Sequence, residues 1–232
     1  MTEFSFTCVG VRADGYAAGP TLVFRLRITA SEDTRVHALA LRCQLRIEPS
    51  RRGYLDSEAE GLGDLFGERA RWGSSMQPVQ FAHVSLVVPG FTASAEIDLP
   101  VPCGYDLDVA ATRYFHALQD GDVPLLMLFS GTAFTGPGGF HVEPVPWDRE
   151  ANFPLPVAVW HQMIEQHYPG CGWLRLPRET MDALLAFRSR HALPSWEATI
   201  RVLLQQAGGT ALTDSAAPTG NDLPVVREGA VL

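Results

Sequence analysis

Arg25 and Arg27, followed by Arg42 and Arg46, are the residues of this sequence whose type and spacing best suit recognition chemistry. A guanidinium is planar, permanently charged and able to grip a carboxylate or phosphate through two parallel N–H donors. Side chains two or four apart on a strand share one face. The four therefore predict an arginine grid across the outer face of a hairpin, a docking surface for an acidic protein partner. Residues 21–52 hold seven Arg against three Asp and Glu, so this region is basic within a chain of net charge −8. A merely solvated sheet face is the competing reading. All 18 basic residues are Arg and none is Lys, a bias that a GC-rich genome explains before chemistry does.

Nothing else in the sequence assembles a reactive centre. Ser130, in Phe129-Ser130-Gly131-Thr132, lies in an apolar strand and lacks the tight G-x-S-x-G elbow of an esterase nucleophile. Gly136-Pro137-Gly138-Gly139 has neither the Lys nor the following helix of a phosphate cradle and reads as a hairpin turn. Asp106-Leu107-Asp108 has metal-like spacing, but alternate strand residues always share a face, and a solvated edge accounts for them. Cys8, Cys43, Cys103 and Cys171 stand singly with no C-x-x-C, as buried free thiols do. His161 and His167, six apart on one helix, fall on different faces. No catalytic residue, metal site or cofactor is expected, and a non-enzymatic protein is favoured.

The elements that must carry these residues follow from periodicity. Residues 21–29 alternate, with Leu22, Phe24, Leu26 and Ile28 inward, and 39–47 repeat the pattern with Leu39, Leu41, Cys43, Leu45 and Ile47, which predicts a hairpin across the turn at 31–34. A second pair, 91–99 with Leu107 and Val109, presents Glu96 and Asp98 on an acidic face. Residues 124–134 are apolar on both faces, as a central strand is, and 140–147 return beside them. With 4–9 and 79–88 added, seven or eight strands indicate an immunoglobulin-like antiparallel β-sandwich. Short helical insertions are expected over 56–71, with Ser57 as cap, and over 110–119, the latter reading as a short helix or a strand end.

Beyond Asn152 the period becomes 3.6. Helices follow Pro156, Pro177 and Ser195, and in the last of them Trp196, Ile200, Leu203, Leu204 and Ala207 form an amphipathic stripe. The expected class is thus α+β: a sandwich domain over 1–152, a three-helix segment over 153–207, and a polar tail over 208–232 that reads as disordered. The longest apolar run, 123–129, is far short of the roughly 20 residues a membrane helix needs, and residues 1–4 lack a basic, apolar leader, so a cytoplasmic protein with no membrane insertion is expected. The acidic balance disfavours nucleic acid as a general partner.

Two further readings compete. The order Trp173-Leu174-Arg175-Leu176-Pro177, helix, Pro194-Ser195, helix resembles ribbon-helix-helix repressors over about 35 residues, in which paired strands of a dimer enter the major groove and Arg175 would be the base reader. Its strand offers one polar reader among apolar neighbours, which favours packing or dimerisation. Alternatively Trp147, Trp160, Trp173 and Trp196 would line a small-ligand site where sandwich meets helices.

Three stretches, DGDVPLLMLFSGTAF (120–134), PWDREANFPLPVAVWHQMIEQHYP (146–169) and WLRLPRETMDALLAFRSRHALPSWEATI (173–200), resemble an uncharacterised, mainly actinobacterial family encoded near high-affinity uptake nickel-iron hydrogenases. The resemblance implies an accessory role in assembly or maturation of that enzyme, with hydrogenase subunits or maturation factors as partners. It supplies no catalytic residues. With neither C-x-x-C nor a nucleotide loop, the chain reads as an adaptor rather than a metal chaperone or nucleotide-driven maturase.

Overall fold

A computed structural model describes residues 2–31, 34–103, 109–136, 141–170 and 176–208. Among the described residues eight antiparallel strands form two sheets: β1 (Phe4–Ala13), β2 (Thr21–Ala30) and β5 (Ser94–Pro102) in the order β1-β2-β5, facing β4 (Val79–Thr92), β3 (Arg35–Ile47) and β6 (Asp122–Thr135). The first half of β6 pairs with β8 (Glu150–Pro156) and the second half with β7 (His141–Val145). We call these the first and second sheets. Their order is immunoglobulin-like, with the fourth strand placed beside the third rather than beside the fifth.

Each strand turns its apolar phase inward, and the two sheets meet over one core. Phe6 of β1 stacks on Phe129 of β6 at 4.3 Å between ring centroids, and Phe24 of β2 meets Phe153 of β8 edge-on at 5.9 Å. The predicted α+β sandwich, followed along the chain by helices, is what the structure shows.

Its strand pairing differs from expectation. Residues 21–29 and 39–47 do not form a hairpin, because β2 pairs with β1 and β5 while β3 pairs with β4 and β6. Alternation dictates which side chains are buried; it is equally satisfied by two neighbours in one sheet or by two strands facing across the core. Of the predicted partner of 91–99, Val109 opens helix α4 (Val109–Ala117), and Leu107, like Asp106 and Asp108, lies outside the described residues. Strand β8, interrupted by Pro154 and ending at Pro156, has weak periodicity and is found only through its pairing with β6.

Between β3 and β4 lie three short helices, α1 (Asp56–Gly61), α2 (Gly63–Phe66) and α3 (Trp72–Ser75). The cap of α1 is not Ser57: the amide of Leu55 donates to the Glu58 carboxylate. A β-bulge then skips Phe81, since Leu45 pairs with Ala82 but Arg46 with Gln80. Bulges re-aim a side chain. Phe81, 2% exposed, turns into an aromatic cluster with Phe115 of α4 and Trp160 of α5 (Val157–His167), whose rings stack at 4.3 Å.

Helix α5 therefore belongs to the sandwich. The compact units are residues 1–172 and 173–232, against an expected boundary at 152. The second unit contains α6 (Arg178–Arg190) and α7 (Trp196–Gln206); Ser195 caps α7, its hydroxyl accepting from the Ala198 amide at 3.1 Å as predicted. The tail from residue 209 onward lies outside the described residues.

Candidate functional site

The four arginines of the expected grid separate into two pairs on two sheets. On the first sheet, register places Arg25 opposite Asp98 and Arg27 opposite Glu96. Arg25 reaches Asp98 at 3.1 Å, Arg27 reaches Glu96 at 2.8 Å, and Arg12 of β1 reaches Asp98 at 3.3 Å. The basic and acidic faces read separately from the sequence are thus one ion-paired lattice. Exposed pairs of this kind contribute about 0–1 kcal/mol each to stability, and their charges are already neutralised by one another.

The outer face of the second sheet is different. Rows across it read Val87, Ala40, Thr132; then Ser85, Arg42, Ser130; then His83, Gln44, Leu128, Glu150; then Gln80, Arg46, Leu126, Asn152. Arg42 is exposed and Arg46 half-buried, its guanidinium donating to the Gln44 side chain at 3.2 Å. Among the described residues neither has a carboxylate within ion-pair range. Apolar side chains adjoin them: Val87 is 71% exposed and Val142 64%, with half-buried Phe134 paired to Val142 and to Ala38. A sandwich strand needs one apolar face. The second apolar face of β6, with Leu126, Leu128 and Phe134 outward, is surplus to the core, and that surplus was the sequence signal for this surface.

A third arrangement is buried. Arg52 and Glu58, with side chains 9% and 1% exposed, meet at 3.0 Å. The Glu58 carboxylate also accepts from the amides of Gln119 and Leu55 at 2.9 and 3.1 Å, and Arg52 donates to the Asp120 carbonyl. Burial works to raise the Glu58 pKa, but these amide donors and the guanidinium outweigh it and hold the carboxyl below its ordinary value. Beside it Tyr54 and Tyr114 share a 2.7 Å hydroxyl bond, and Tyr54 donates to the Pro49 carbonyl. This network pins the β3–β4 insertion to α4.

Among the described residues no reactive thiol emerges. Burial pushes Cys8 up to about 11 and Cys43 and Cys103 up to about 12, so all three are protonated core residues; Cys171 lies outside the described residues. Among the described residues no group of three His, Cys, Asp or Glu is placed to hold a metal, and no helix is long and apolar enough to cross a membrane. Of the four tryptophans of the expected ligand site, Trp147 is 90% exposed, Trp160 is packed in the core at 4%, and Trp173 lies outside the described residues. Trp196 lies under the Arg188 guanidinium, 5.2 Å from ring centre, within the second unit. Arg175, the proposed base reader, is also outside the described residues. An open cleft of about 310 Å³ at one end of the second sheet is lined by Arg35, His37, Gly90 and Phe91 among others, with no carboxylate or thiol among the described residues of its wall.

Solved structures give distant likenesses. A structure described as a late embryogenesis abundant protein is 12% identical, with 66% of this chain and 72% of that chain covered and a TM-score of 0.32. The β-glucosidase of Kluyveromyces marxianus (8% identical, TM-score 0.26) and β-glucosidase 3B of Thermotoga neapolitana (13%, 0.25) are each matched over 66% of this chain but only 15% and 17% of their own. No curated protein matches the sequence. Residues 1–212, which take in both sheets and helices α1–α7, match the model of a family of unknown function, DUF6084, and the chain accordingly belongs to that family.

Proposed function

We propose that this protein is a non-enzymatic adaptor that binds a partner protein through the outer face of its second sheet. One observation carries the reading: among the described residues Arg42 and Arg46 lack carboxylate partners beside exposed Val87 and Val142, whereas Arg12 of β1 and Arg25 and Arg27 of β2 are ion-paired. Cations left unpaired on a half-apolar face suit an acidic, partly apolar surface, with electrostatics setting specificity and association rate. The resemblance to a family encoded beside uptake nickel-iron hydrogenases makes hydrogenase subunits and their maturation factors the first partners to test, in the cytoplasm of an actinobacterial host.

The experiment is affinity capture from that host under hydrogen-limited growth. Arg42→Ser/Arg46→Ser should lose hydrogenase-related proteins that the wild type retains, while Arg25→Ser/Arg27→Ser should keep them. Equal capture by both variants, or none by the wild type, would reject the sheet-face adaptor.

A further inference from the structure

We infer that the occupant of this face is an acidic amphipathic helix of the partner protein, an inference that rests on the adaptor reading and specifies its ligand. The face displays side chains and no open backbone ladder, since β3 is hydrogen-bonded on both sides by β4 and β6. An extended segment laid across it would leave its own amides and carbonyls without partners, whereas a helix satisfies them internally. Helix on sheet is also the ordinary way to cover such a surface.

Charge and spacing narrow the helix further. Arg42 and Arg46 are four residues apart on one strand, about 13 Å. At a rise of about 1.5 Å per residue, carboxylates seven or eight positions apart, two turns on one helix face, stand about 10.5–12 Å apart, and the reach of the guanidinium side chains closes the difference. Beyond Arg42 the apolar end formed by Val87, Phe134 and Val142 receives an aliphatic side chain in the next turn. Glu150 borders the face beside Leu128 and repels carboxylates placed off this line. A polyanion such as nucleic acid is disfavoured: the face offers two cations amid exposed valines, on a chain of net charge −8.

The test uses the full chain and a fluorescein-labelled 18-residue peptide of Ala, Gln and Leu, with a Leu stripe and two Glu seven apart on that stripe's border. A second peptide carries Lys in place of both Glu. Fluorescence anisotropy should show micromolar binding of the Glu peptide, at least tenfold weaker for Arg42→Ser/Arg46→Ser and for Val87→Glu, tenfold weaker in 0.5 M NaCl, and unchanged for Arg25→Ser/Arg27→Ser. The Lys peptide should not bind. Equal binding of both peptides, or equal loss with the Arg25/Arg27 variant, would overturn the inference. So would absence of binding while host partners are still captured in an Arg42- and Arg46-dependent way, an outcome that leaves the adaptor reading standing and removes only its helical ligand.

Discussion

Arg25 and Arg42 share a side chain and an outward phase, yet one faces Asp98 across a strand pair and the other faces Ser85 and Ser130. A residue's availability is set by its cross-strand neighbours. The same holds for Glu58, which is 1% exposed against Arg52. Breaking one half of a buried pair strands the other charge, so Glu58→Gln should cost about 3 kcal/mol in urea unfolding at pH 7. Because the folded pKa lies below the ordinary value of 4.5, this contribution is complete above that pH and is lost as pH falls through the folded pKa. The stability gap between wild type and Glu58→Gln should therefore shrink below about pH 4.5, and a gap independent of pH would refute the assignment.

At the scale of elements, periodicity located the cores of β2, β3 and β6 because alternate burial leaves a direct imprint on residue type. It located α7 through its stripe and its cap. Ser195→Ala should weaken α7 by about 1 kcal/mol, seen as faster amide exchange over Trp196–Gln206 with the sandwich amides unaffected. What periodicity missed were breaks in period: the bulge at Phe81, the change of partner along β6, and proline-rich β8. Gly131 sits where β6 passes from β8 to β7 with its backbone against β3, and a Cβ there would overlap the Ala40 carbonyl oxygen. Gly131→Ala should accordingly destabilise by about 3 kcal/mol through backbone displacement, read as a lowered denaturation midpoint. An unchanged midpoint would show that the strand has room to shift.

For the whole molecule, the apolar core is composed of residues from Phe4 to Ile164, all within the first compact unit. A chain ending at Gly172 should fold cooperatively, and thermal unfolding by near-UV circular dichroism would show a single sharp transition; a broad, dye-binding state would contradict this. If the sheet face is the docking site, that shortened chain also retains the acidic peptide. The sequence by itself determined which side chains are buried, that strands dominate and that helices follow, because burial, alternation and capping are local constraints written in residue type. It could not determine pairing, since an amphipathic strand is satisfied by any neighbour that covers its apolar face. Only the tertiary structure decided that β2 lies beside the acidic β5 and β3 beside β4 and the uncharged stretch of β6, and so which arginines are ion-paired and which, among the described residues, are not.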